Sequence, residues 1–299
     1  MKRNIISWMA IMLMAFVCVG LAACGSDDDD GTPAGSTPKS VLTDSHGNTL
    51  QVSQAGHFWY RYDEQGRLSA CGYDEGLSYY VDIDGSTLVM SGSDTYSSAT
   101  ATISLNEKGL ISKHVYDDET IHSHEYYKDH FTESFTYNSS NQLIASSYSY
   151  SSDYYYSGKE HSSESTGTLE YSLTDGNLTK VVVNRQGKRV ENGKSDIENG
   201  CTTLAYTYGK LKNAFKQFPT TIARDCGASQ LIKMLAPIGL FGVGPATLPT
   251  TSSYTYESDD EKDSDIFDNK PIKFTLNEDG SIKVTYYEGD DFYYFNCVK

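Results

Sequence analysis

Five segments of the chain repeat one layout, and this repeat limits the fold more than any other feature. Each segment has an alternating run of apolar or aromatic residues, a polar turn with Gly or Asn, an aliphatic residue, and a second alternating run. The five segments are residues 60–73, 102–116, 135–150, 169–183 and 273–287. Alternation with a period of two places one face of a strand in a core, and Gly or Asn accepts the positive φ of a tight turn. The repeat therefore predicts consecutive antiparallel β-hairpins.

The hairpins recur about 35 residues apart, which indicates that each one packs beside the next. We predict a mainly β fold, in which an antiparallel sheet of repeated β-hairpins forms a curved meander or an open barrel. A sheet with one apolar face needs a cover. Residues 226–235 break the strand pattern, with Asp225 as a candidate N-cap and Pro237 and Gly239 as stop signals. We predict one short helix there, covering the open face of the sheet.

One hairpin also carries a family resemblance. Tyr62 to Leu68 reads YDEQGRL, which resembles the YD repeat of the RHS class, and the other hairpins keep only the turn residue and the aliphatic residue. The whole arrangement, including the stretch from Gly239 to Tyr256, is similar to a family of uncharacterised Bacteroidetes surface lipoproteins. The resemblance implies β architecture and a location at the cell surface, and it implies no activity.

The N-terminus predicts export and lipidation. Lys2 and Arg3 precede an apolar run that ends in Leu-Ala-Ala-Cys at Cys24, the layout of a removable signal peptide. The last four residues resemble the bacterial lipobox, which implies a signal peptide over residues 1–23 and palmitate and other acyl chains on Cys24. Ser26 to Asp30 resembles the signal that sends lipoproteins to the outer face of the outer membrane. Residues 24–40 are predicted to be a disordered acidic tether, and residues 41–299 a single β-rich domain.

Charge and motifs exclude several classes of function. The formal net charge is −16, and a chain this acidic lacks the basic patches that bind nucleic acid. No nucleophile elbow, phosphate loop or dinucleotide fingerprint occurs in the sequence. We therefore predict a protein that is not an enzyme and needs no cofactor. Forty Asp and Glu residues neither support nor exclude a glycosidase, which needs only two well-placed carboxylates.

The densest cluster of tyrosines lies in residues 147–158, and we predict it to be a contact surface. Tyrosine brings contact area at a low entropy cost, and its hydroxyl bonds in many directions. Tyrosine is also an ordinary strand residue. The candidate binding residues are Tyr148, Tyr150, Tyr154, Tyr155 and Tyr156.

Three other patterns are weaker. His122 and His124 share a strand face and are candidate metal ligands, although the segment lacks the zincin spacing. Residues 257–268 are acidic enough for calcium but lack EF-hand spacing. Cys201 and Cys226 are the candidate disulfide, one of several possible pairings of four cysteines.

The leading functional prediction is a surface lipoprotein whose non-catalytic β scaffold binds a glycan or a protein partner. One alternative is a cradle for a lipid or another small ligand under the 226–235 helix. A second alternative is a glycoside hydrolase, which requires two carboxylates facing each other across a cleft.

Overall fold

The structure is a computed structural model that describes residues 50–73, 78–93, 97–122, 125–156, 158–191, 193–223, 227–258, 267–287 and 290–298. Two short helices occur in these ranges, α1 Thr220–Ala223 and α2 Gln230–Leu235. The strands are β1 Leu50–Ala55, β2 Phe58–Tyr62, β3 Leu68–Tyr73, β4 Ser78–Asp84, β5 Thr87–Ser93, β6 Ser97–Leu105, β7 Ile111–His122, β8 Glu125–Tyr137, β9 Leu143–Tyr156, β10 Lys159–Thr174, β11 Asn177–Glu191, β12 Lys194–Lys212, β13 Thr247–Ser258, β14 Phe267–Leu276, β15 Ile282–Tyr287 and β16 Asp290–Val298. Among the residues that the structure describes, none forms a helix long and apolar enough to cross a membrane.

Each strand pairs antiparallel with the next strand along the chain, which confirms the predicted sheet of repeated hairpins. The first and last strands also pair, with Leu50 opposite Val298 and Gln51 opposite Cys297. This pairing closes the ladder into a barrel, whereas an open meander would have left two edge strands unpaired. The sequence left this closure undecided.

The five predicted hairpins are β2–β3, β6–β7, β8–β9, β10–β11 and β14–β15. Their turns use positive φ at Gly66, Gly109, Asn141, Gly176 and Gly280, as the sequence predicts. In the β6–β7 turn, the side-chain oxygen of Asn106 accepts hydrogen bonds from the backbone N–H groups of Lys108 and Leu110. Such local hydrogen bonds stabilise the turn, so the turn residues can be recognised in the sequence.

Side chains on the long strands change character along the inside of the barrel. On β10, the inward positions run from Leu173, Tyr171 and Leu169 to Gly167, Ser165 and Ser163. The apolar half is buried in a hydrophobic core, and the polar half lines open space. The outer face of β6 is polar, because Ser98, Thr100, Thr102 and Ser104 alternate with buried apolar residues.

The apolar half of the barrel is filled by residues 213–246, which connect β12 to β13 and are called the plug here. Within its described residues, the plug contributes Phe218, Ile232, Leu235 and Phe241 to the core. The predicted helix over residues 226–235 is confirmed in part, as α2. It begins at Gln230 after Ser229, and the predicted cap Asp225 lies outside the described residues. The helix lies inside the barrel, where several strands surround it, and not over one open sheet face.

Hydrogen bonds from three separate strands and turns hold the plug. The Tyr60 hydroxyl donates to the carbonyl of Met234 at 2.5 Å. The Ile111 N–H donates to Leu240, and the Val243 N–H donates to Asn141. Because these partners lie at the ends of even-numbered strands or the starts of odd-numbered ones, the plug occupies that end of the barrel. Val298 ends β16 and Leu50 begins β1, so the chain enters the barrel at the plugged end.

Candidate functional site

The opposite end of the barrel is its mouth, formed by the extended halves of β7 to β12. A cavity of about 360 Å³ lies inside, directly above the plug. We call it the inner cavity. It is lined by Tyr116, Asp129, Phe131, Tyr148, Tyr150, Ser165, Arg185, Ala228 and Ser229. Its volume is within the range of small-ligand sites.

A second cavity of about 420 Å³, called the mouth cavity here, lies closer to the rim. It shares Tyr150, Ser165 and Arg185 with the inner cavity. The other lining residues are Tyr154, Ser163, Glu164, Gly187, Lys188, Arg189, Asp196 and Glu198. The shared residues show that the two cavities adjoin, and together they provide space for more than one sugar-sized ring.

Strand register brings Arg185 between two glycines. Tyr148 on β9 lies opposite Gly167 on β10, and Gly167 lies opposite Arg185 on β11. Arg185 in turn lies opposite Gly200 on β12. The two glycines let aromatic rings pack directly on the backbone, with Tyr148 over Gly167 and Tyr256 over Gly200.

The aromatic rings at the site are held in place. A Cβ on Gly167 would lie 2.4 Å from the ring of Tyr148, so this ring packs directly on the glycine backbone. Tyr148 also stacks on Phe131, with ring centroids 5.7 Å apart. Burial raises the pKa of Tyr148, and that of Tyr150 as well, so both hydroxyls keep their protons at neutral pH. The rings present protonated hydroxyls and rigid faces to a ligand.

Two carboxylates at the site already accept a tyrosine hydroxyl. Tyr150 donates to Asp129 at 3.1 Å, and Tyr256 donates to Glu198 at 3.1 Å. Each carboxylate has further lone pairs that can accept hydrogen bonds from a ligand. The site therefore offers acceptors as well as cations, among them Arg185, which lines both cavities.

Below the inner cavity, Glu133 joins the barrel to the plug. It accepts from the N–H of Ala228 and from the hydroxyl of Ser146, and it is fully buried. Burial raises the pKa of Glu133 to about 7, although these hydrogen bonds oppose the shift. His114 lies opposite Glu133 in the strand register, and burial lowers its pKa to about 4. Both side chains lie out of reach of a ligand in the mouth.

The predicted tyrosines divide between the two faces of the wall. Tyr148, Tyr150 and Tyr154 line the cavities. Tyr155 stacks on Tyr126, with centroids 6.1 Å apart, on the outer face. Tyr156 ends β9 and is half exposed at the rim. The structure brings three of the five predicted residues to one site.

The other sequence predictions have different outcomes. The side chain of His122 and the whole of His124 lie outside the description, as do residues 259–266 of the acidic loop. Cys24 and the tether over 24–40 also lie outside the described residues. Cys226 lies outside the described residues, so the candidate disulfide between Cys201 and Cys226 stays a prediction. Within the part of the chain that is described, no cluster of three metal-ligating side chains occurs.

Sequence reasoning missed Arg185, although a signal for it exists. Val181 and Val183 face the core on β11, and Arg185 continues their alternation. A charged residue in phase with buried ones is unusual and indicates either a partner or a site. Asp129 and Glu198 have no comparable signal, because the inside of the barrel becomes polar only near the mouth.

No family model matches this chain, and no curated protein matches it. Among solved structures, the chain is similar to a porin-like protein from Bacteroides vulgatus ATCC 8482, with 12% identity and a TM-score of 0.49. This match covers 83% of the chain and 97% of that protein. A porin-like protein from Bacteroides uniformis ATCC 8492 has 12% identity and a TM-score of 0.45, covering 86% and 94%. At this level of likeness, neither neighbour assigns a function.

Proposed function

We propose that this chain is a lipid-anchored protein of the outer-membrane surface whose barrel is a non-catalytic cup that binds a saccharide in its mouth. The observation that carries the proposal is the pair of adjoining cavities lined by Tyr148, Tyr150 and Tyr154. Tyrosine faces stack on sugar rings, while tyrosine hydroxyls and carboxylates form hydrogen bonds with sugar hydroxyls. The tyrosines are recessed in the barrel, which favours a saccharide chain over the surface of a folded protein.

The polar outer face of β6 favours attachment of the protein through a lipid anchor over insertion of the barrel wall into the bilayer. A strand that faces lipid needs an apolar outer side, whereas β6 shows Ser and Thr there. We propose that acyl chains on Cys24 hold the protein at the membrane.

The two alternatives have less support. A lipid cradle needs an enclosed apolar cavity beside the plug. The space lined by Phe218, Tyr171 and Val243 is only about 10 Å³, which is too small for an acyl chain. The larger inner cavity contains the charged residues Asp129 and Arg185. A hydrolase needs a carboxyl group in the cleft whose raised pKa lets it donate a proton to the leaving group. Glu133 has a raised pKa, but it is buried and bonded to the plug.

The binding proposal is tested on the mature chain with Cys24→Ser, which removes the lipid site. It is titrated with a panel of oligosaccharides by calorimetry, and each mixture is then checked for cleavage. We expect micromolar to millimolar binding without cleavage. Tyr150→Ala should weaken binding at least tenfold, whereas Tyr155→Ala, on the outer face of the same strand, should not change it. Cleavage of the ligand, or equal effects of the two variants, would contradict the proposal.

The localisation proposal has its own test. Cells expressing the wild-type chain are labelled with radioactive palmitate and treated with protease while intact. We expect label on the wild-type chain, none on Cys24→Ala, and digestion of the surface protein in intact cells. Label that persists on Cys24→Ala, or complete protection from protease, would contradict it.

A further inference from the structure

Arg185 is the cation that lies where the two cavities adjoin, whereas Lys188 and Arg189 line only the mouth cavity. Within the described chain, its guanidinium has no hydrogen bond or ion pair, and the side chain is exposed in the cup. Other arginines do have partners, since Arg67 pairs with Asp63 at 2.6 Å and Arg189 with Glu191 at 3.5 Å. Arg185 also lines both cavities, so a ligand in either one contacts it.

The surroundings of Arg185 leave space for a planar anionic group. Its strand neighbours in register are Gly167 and Gly200, which have no side chains. The guanidinium extends along the wall toward the mouth, with Nη2 3.6 Å from the point where a Cβ on Gly187 would lie. A Cβ on Gly167 would overlap the ring of Tyr148, and one on Gly200 would lie 3.0 Å from the ring of Tyr256, so tyrosine rings cover these two glycines. The guanidinium fork of Arg185 is itself exposed to the cup. Such a fork binds a carboxylate through two parallel hydrogen bonds.

The carboxylates of the site restrict the ligand further. Asp129 and Glu198 each accept one tyrosine hydroxyl and can accept more hydrogen bonds. A small inorganic anion such as chloride or sulfate has no donors for these groups. A neutral saccharide would supply the donors, and its oxygens would accept from Arg185, but the charge of Arg185 would have no anionic partner. A molecule that carries both a carboxylate and several hydroxyls satisfies all three residues.

We infer that the ligand is an acidic saccharide whose sugar carboxylate pairs with Arg185 while its hydroxyls donate to Asp129 and Glu198. This inference rests on the proposed function and names the substrate class of the same site. The sugar ring lies against Tyr148 or Tyr150, which line the inner cavity together with Arg185. The carboxylate fixes the orientation of the saccharide, and the tyrosines supply most of the contact area.

The test compares acidic oligosaccharides with their carboxyl-reduced forms, which keep the sugar backbone and lose the charge. The panel contains trisaccharides of galacturonate, glucuronate and mannuronate, each with its reduced counterpart, and a sulfated trisaccharide. Binding to the mature chain with Cys24→Ser is measured by calorimetry. We expect at least one acidic trisaccharide to bind, and carboxyl reduction to weaken that binding at least tenfold.

Variants of Arg185 test whether this side chain causes the preference for the acidic saccharide. Arg185→Gln should remove the preference for the acidic form, and Arg185→Lys should keep only part of it, because lysine retains the charge without the planar fork. The matched control is Lys180→Gln, an exposed cation earlier on the same strand that faces outward. It should leave the preference unchanged. Since Arg185 has no partner in the described protein, its variants should melt at the wild-type temperature.

The remaining results of the binding test contradict different parts of the proposal. Equal binding of acidic and reduced forms would refute the acidic class and leave saccharide binding intact. Binding of the sulfated trisaccharide alone would refute the carboxylate assignment. If no saccharide binds in either form, the proposed function and this inference both fail.

Discussion

The backbone N–H of Ala228 lies 3.1 Å from both carboxylate oxygens of Glu133. This contact fastens the start of α2 to β8, next to the inner cavity. Glu133→Ala would leave a buried N–H without an acceptor, which costs about 1–3 kcal/mol. We expect this loss in the free energy of unfolding measured with urea. Glu170→Ala, on the exposed outer wall of β10, should change stability by less than about 0.5 kcal/mol.

The raised pKa of Glu133 also predicts a dependence of stability on pH. Burial raises this pKa from 4.5 to about 7, so the folded state holds a proton that the unfolded state releases. The stabilisation is complete below pH 4.5 and is lost as the pH rises through 7, by roughly 3 kcal/mol. The groups that face Glu133 are His114, Ser146, the Ala228 N–H and Lys233.

His114 acts in the opposite direction. Burial lowers its pKa from 6.5 to about 4, so its stabilisation is present above pH 6.5 and is lost as the pH falls through 4. Glu133→Gln removes only the first effect. The stability of the wild-type chain minus that of Glu133→Gln should therefore fall between pH 5 and pH 8. A difference that stays constant over this range would show that Glu133 is ionised in the folded protein.

Gly85 and Gly242 distinguish the energetic cost of a positive φ from that of a steric clash between the plug and a barrel turn. Gly85 and Gly242 both have positive φ, at 58° and 85°. A Cβ at Gly85 meets nothing within 4 Å, whereas one at Gly242 would lie 2.1 Å from the carbonyl oxygen of Asn141. Gly85→Ala should cost about 1 kcal/mol of unfolding free energy, and Gly242→Ala about 2–4 kcal/mol. Equal losses in thermal or urea unfolding would show that the plug does not contact the β8–β9 turn.

Cys71 and Cys201 differ in how accessible their thiols are to a reagent in solution. Cys71 is fully buried, and burial raises its pKa to about 12. Cys201 is partly exposed. Glu198 lines the mouth cavity from the same strand, so the alternation of β12 places Cys201 on the outer face of the wall. We expect iodoacetamide to modify Cys201 in the native protein and to spare Cys71 until urea is added. Peptide mass spectrometry gives the rate at each cysteine. Protection of native Cys201 that is lifted only by a reductant would instead indicate a disulfide there.

The hairpins were predictable because their signals are local. Gly109 and Asn141 take the positive φ that their turns require, and Asn106 holds its turn with its own side chain. The closure of the barrel was not predictable, because β1 and β16 lie at opposite ends of the described chain. The helix α2 was recognised from its apolar residues, but a periodic apolar face fits the inside of a barrel as well as the outside of a sheet.

The site was less predictable than the fold. Tyrosine content located the right segment, and strand alternation alone assigns Tyr154 and Tyr155 to opposite faces. The sequence does not state which of these faces is inward. Arg185 continues the alternation of Val181 and Val183, and its role depends on residues of other strands that line the same cavities. That arrangement exists only after the register is set.

The most direct test of the account is a crystal structure of the mature chain with Cys24→Ser bound to an acidic trisaccharide. The account predicts electron density for the sugar inside the cup, with its carboxylate on Arg185 and its ring against Tyr148 or Tyr150. Density for the sugar on the outer wall near Tyr126 and Tyr155, with an empty cup, would contradict it.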